Sequence, residues 1–61
     1  MFKVKARDPR GQLMNFACGT ADQVLERIWE LTRRGFRDIL VADPGGKEMT
    51  GSAFERFLDL D

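Results

Sequence analysis

Residues 2–18 read FKVKARDPRGQLMNFAC, and their reading decides the fold. Phe2, Val4 and Ala6 alternate with Lys3, Lys5 and Arg7, the pattern of a strand with one face buried and one in water. Asp8-Pro9-Arg10-Gly11 follows. Proline at the second position suits a type I turn, and glycine takes the left-handed conformation after it. This is a three-residue hairpin loop with a bulge at Gly11. It sets Asp8 opposite Gln12, and the register then pairs Ala6 with Met14, Val4 with Phe16 and Phe2 with Cys18. Every one of those pairs is apolar, so turn chemistry and hydrophobic pattern select the same register.

Downstream, Thr20-Ala21-Asp22-Gln23 fits a capping box, with Thr20 as N-cap and Gln23 at N3. The predicted helix runs to about Arg34. At 100° per residue, Ala21, Val24, Leu25, Ile28, Leu31 and Thr32 share one face, with Trp29 at its margin. Asp22, Gln23, Glu26, Arg27, Glu30, Arg33 and Arg34 take the other. Gly35 is placed to end the helix, with Phe36 folding back on Leu31. Residues 36–42, FRDILVA, form a third strand, apolar on both faces from Ile39 to Ala42. Asp43-Pro44-Gly45-Gly46 is a turn by composition, and residues 47–50 add a short edge strand. Ser52-Ala53-Phe54-Glu55 fits a second capping box, with Phe54, Phe57 and Leu58 on one face of a short final helix.

The order β-β-α-β-(β)-α describes a two-layer α+β sandwich with a mostly antiparallel sheet of three or four strands. The expected strand order is 2-1-3, with a fourth strand outside the third and the long helix crossing one face. No repeat, low-complexity segment or linker is read, so residues 1–61 form a single domain. A chain of 61 residues hides only about 60% of the surface its unfolded form exposes, so its stability is marginal.

Composition narrows the function. One cysteine forbids an internal disulfide, and without histidine no metal or cofactor site is expected. No apolar run suits a membrane span and no signal-peptide pattern opens the chain, so a soluble, cytoplasmic protein, complete as it stands, is expected. The net charge is zero, yet residues 1–37 hold eight Lys or Arg against four Asp or Glu, and residues 38–61 hold two against six.

Three enzymatic motifs fail on inspection. The stretch VADPGGKEMTGSAF, residues 41–54, resembles a phosphate-binding loop only in its Gly46-Lys47. The first glycine of that motif would fall on Val41, and Glu48 replaces the required Ser or Thr. Cys18 lies just before a helix start but faces inward and has no histidine as base. Glu26 and Glu30, and Asp22 and Glu26, are spaced four apart on the solvent side of the helix, whereas paired acids working as general acid and base need a cleft.

Surfaces remain. The open sheet face should carry Lys3, Lys5 and Arg7, flanked by Leu13, Asn15 and Ala17 on one side and Asp38, Leu40 and Ala42 on the other. The expected function is a small non-enzymatic protein-interaction module, with Trp29, Leu13 and Leu40 as contact residues. The partner is another protein or a second copy; a homodimer and a monomer are equally compatible with the sequence. The alternative is weak nucleic-acid binding through Lys3, Lys5, Arg7 and Arg10. The absence of an exposed aromatic ring for base stacking counts against it.

Overall fold

The hairpin forms in the register that its loop dictates. The computed structural model describes residues 1–59. β1 (Phe2–Arg7) pairs antiparallel with β2 (Leu13–Cys18), matching Ala6 to Met14, Val4 to Phe16 and Phe2 to Cys18. The Asp8 N–H donates to the Gln12 carbonyl at 2.9 Å, and Gly11 has φ 88°. α1 (Ala21–Arg33) is capped by Thr20, whose Oγ1 accepts from the Gln23 N–H. In return Gln23 Oε1 accepts from the Gly19 N–H, one residue further out than the N-cap. At the other end Phe36 N–H donates to the Leu31 carbonyl and Gly35 N–H to that of Thr32, the two bonds of a Schellman motif. Gly35, at φ 88°, supplies the left-handed residue it needs.

β3 (Arg37–Ala42), β4 (Glu48–Thr50) and α2 (Gly51–Asp59) complete the chain. All neighbouring strands are antiparallel, in the order β2-β1-β3-β4. Both helices lie on one face. Between them and the sheet Val4, Ala6, Cys18, Val24, Ile28, Leu31, Val41 and Phe54 form one core. Phe2 meets Phe54 edge to face, and Phe16 meets Phe36 likewise.

The structure reveals a repeat that the sequence reading missed. The loop after β3 is built like the first one. Asp43 N–H donates to the Lys47 carbonyl, Gly46 N–H to the Asp43 carbonyl, and Gly46 has φ 89°. The pairs Ala42–Glu48, Val41–Met49 and Leu40–Thr50 are the counterparts of Arg7–Leu13, Ala6–Met14 and Lys5–Asn15. The chain is thus two β-hairpin-helix units, related by an approximate twofold between β1 and β3. Their shared signal is DPRGQLM against DPGGKEM. It is hidden because β4 stops after three residues where β2 runs for six.

Several details depart from expectation. α2 starts at Gly51 and is capped by Thr50, whose Oγ1 accepts from the Ala53 N–H, rather than by Ser52. Strand pairing holds the backbone as far as Thr50, and a Cβ on the buried Gly51 would sit 3.2 Å from Ile39 Cγ2. The inward line of α2 is therefore Gly51, Phe54 and Leu58, and Phe57 falls off it, 63% exposed. Thr32 is also exposed, so the buried stripe of α1 narrows to Val24, Ile28 and Leu31, flanked by Ala21 and Leu25. β3 begins at Arg37 rather than Phe36.

Candidate functional site

The uncovered face of the sheet follows from the alternation. With Val4 and Ala6 turned into the core, Lys3, Lys5 and Arg7 point the other way along the central strand β1. Register places each between two neighbours: Lys3 between Ala17 and Ala42, Lys5 between Asn15 and Leu40, Arg7 between Leu13 and Arg37. Leu13 and Leu40 are 51% and 38% exposed, one on each side of β1. The aromatic rings of Phe2, Phe16, Phe36 and Phe54 all belong to the helix-side core.

Arg37 is a member of this face that alternation alone does not find. The register between β1 and β3 slips between Lys5 and Arg7, where β3 fits an extra residue against Ala6. Asp38 carries the bulge, with φ 54°. The slip turns Arg37 onto the open face, directly across from Arg7. Aspartate tolerates the left-handed region better than most side chains, but nothing in RDILVA announces it as glycine would.

The charges on the face are partly matched. Lys5 Nζ reaches across β3 to Glu48 Oε2 at 3.5 Å. Arg7 Nε lies 3.8 Å from Asp38 Oδ2, and its guanidinium donates to the Gly11 carbonyl. Both ion pairs are well exposed, and such pairs contribute at most about 1 kcal/mol. Lys3, Arg10 and Arg37 have no ion-pair partner among the described residues. Arg10 sits in the hairpin loop, where its own N–H donates to Asp8 Oδ1.

Trp29 stands apart from this face. It is 54% exposed on α1, in the helix layer, beside Thr32, Arg33 and Glu55 of α2. There it lines a groove between the two helices. Leu13 and Leu40 thus share one surface, and Trp29 belongs to the opposite one. Cys18 is buried, and the stretch from Val41 to Phe54 is the end of β3, a hairpin loop, the edge strand β4 and the start of the capped helix α2. Among the described residues no helix is long and apolar enough to cross a membrane. Comparison with known protein families, curated proteins and solved structures finds no match.

Proposed function

We propose that this protein is a non-enzymatic protein-interaction module that holds its partner on the uncovered face of the sheet. The observation that supports this reading is the pair of exposed leucines, Leu13 and Leu40, set on either side of a basic central strand. Apolar side chains in such a setting favour a partner that buries them and brings carboxylates to Lys3 and Arg37. The leucines supply desolvation; the cations supply orientation and steering. Trp29 is assigned no part in this contact, because it lies in the other layer.

A second reading rests on the basic residues alone. Lys3, Lys5, Arg7 and Arg37 lie side by side, which suits a phosphate backbone. Two of the four already face Asp38 and Glu48, and the face offers no ring for a base. Protein contact is therefore the better fit.

The test compares variants of the immobilised protein. A partner retained by the parent should be lost from Leu40→Glu and kept by Arg33→Glu, which alters the helix layer. Retention by Leu40→Glu would sink the reading. Titration with a labelled single-stranded oligonucleotide decides the second reading. Saturable, salt-sensitive binding abolished by Lys3→Glu would establish it, and no binding at low salt would remove it.

A further inference from the structure

The two edges of the sheet are counterparts under the internal twofold, yet only one is protected. β4 is three residues long, bears Glu48, follows Lys47 and passes straight into α2. Short, charged edges of this kind resist pairing with other strands. β2 has none of these devices. Its six residues, LMNFAC, carry no charge and no proline, and its register with β1 is unbroken.

The free hydrogen-bonding groups of β2 are also fixed. Because Asp8 N–H bonds the Gln12 carbonyl, alternation turns the amides of Gln12, Met14, Phe16 and Cys18 toward β1. The N–H and C=O groups of Leu13, Asn15 and Ala17 then point away from the sheet. No hydrogen bond to them forms among the described residues. They make a row of alternating donors and acceptors along the edge.

The geometry points to β2 as a homodimer interface, pairing antiparallel with β2 of a second copy about a twofold axis at Asn15. A strand pairing with its own copy must match outward-pointing residues to each other. Centring on Asn15 is the arrangement that uses all three: Asn15 meets Asn15, and Leu13 meets Ala17 in both directions. Each of these pairs exchanges two backbone hydrogen bonds. Met14 then falls opposite Phe16 on the helix side. Met14 is 39% exposed at the outer margin of the core, and the partner's half-buried Phe16 would cover its thioether. Leu13, 51% exposed, is covered from the side by the partner's Ala17. The Asn15 amides meet at the axis, where each has a donor and an acceptor to offer.

The strand's own sequence selects this occupant. From Leu13 to Ala17 every cross-strand pair is apolar with apolar or amide with amide, and no charge faces a like charge. A strand of unrelated sequence has no reason to satisfy both faces at once. The basic column on β1 lies one strand inside the edge and remains outward in the dimer. The result is an eight-stranded sheet continuous across the axis. This interface shares only Leu13 with the contact proposed for the open face; Leu40 and the basic column stay outside it, so variants at Asn15 and at Leu40 separate the two.

Sedimentation velocity over a range of concentrations tests the proposal. The parent should pass from monomer to dimer as concentration rises. Asn15→Lys, which sets two ammonium groups across the axis, should be monomeric throughout. Asn15→Pro should be monomeric as well; its lost N–H faces away from β1, where a sheet edge tolerates proline. Glu48→Lys on the other edge and Lys5→Glu on the open face should dimerise like the parent. Circular dichroism confirms that each variant is folded. In a Cys18→Ala background with oxidised glutathione, Asn15→Cys should form a covalent dimer faster than Leu13→Cys. Only the first sets two cysteines at the spacing of a hydrogen-bonded pair, within disulfide reach. A parent that stays monomeric at all concentrations overturns the proposal. So does a folded Asn15→Lys variant that dimerises normally, or equal cross-linking at both positions.

Discussion

Asp38 is the residue on which the open face turns. At φ 54° it holds a conformation that costs most L-residues roughly 1–2 kcal/mol, and it does so at the second residue of β3. Its contact with Arg7 is long and exposed, so the side chain is retained there chiefly because it tolerates the backbone. Asp38→Gly should accordingly change stability by less than about 0.5 kcal/mol, while Asp38→Val should cost more than about 1 kcal/mol. Urea unfolding at constant m-value measures both. Equal effects would mean that the bulge is not where the strain lies. This position also marks a limit of sequence reading. Unbroken alternation through RDILVA puts Arg37 on the core side, and only the extra residue opposite Ala6 brings it beside Arg7. Glycine at 38 would have signalled the bulge; aspartate is also common where no bulge exists.

At the level of elements, what was legible is what two independent signals agreed on. The first hairpin had both a turn signature and matched apolar pairs, and its register is the predicted one. Thr20 and Gly35 end α1 as their residue types require. α2 lacked such agreement. Thr50 and Ser52 both have capping side chains, and the choice fell to tertiary structure: the pairing of Thr50 with Leu40 and the close passage of Gly51 over Ile39. The duplicated loops offer a test at this scale. Asp8 Oδ1 accepts from two N–H groups, those of Arg10 and Gln12, at 2.9 and 2.8 Å. Asp43 Oδ1 accepts from the Lys47 N–H at 2.9 Å. At roughly 0.5–1.5 kcal/mol for each bond, Asp8→Ala should destabilise about twice as much as Asp43→Ala. Equal midpoints in denaturant would show that the first loop gains nothing from its second bond. Hairpin cross-peaks in NMR spectra should keep the parental register in both variants.

For the whole molecule, the question is which surface is left for contact once the core is closed. A two-layer fold of this size covers one face of its sheet and leaves three candidates: the open face, the β2 edge and the outer side of the helices. Sequence reading grouped Trp29, at the margin of the helix stripe, with Leu13 and Leu40, which had no assigned cover. It could not know that they lie in opposite layers, since that depends on how far α2 extends over β3 and β4. The separation makes Trp29 a reporter. It is the only tryptophan, and it is 54% exposed on the side away from both proposed contacts. Its emission in the isolated protein should be that of a solvated ring. It should stay unchanged as concentration is raised through the monomer–dimer transition, because pairing along β2 buries Met14 and Leu13 and leaves Trp29 in water. Iodide quenching should be equally efficient below and above the transition. A blue shift or a loss of quenching that tracks dimer formation would place the contact on the helix layer instead. That outcome, combined with normal dimerisation of Asn15→Lys, would reassign the apolar margin of α1, rather than the uncharged edge of the sheet, as the surface through which this small core gains stability by association.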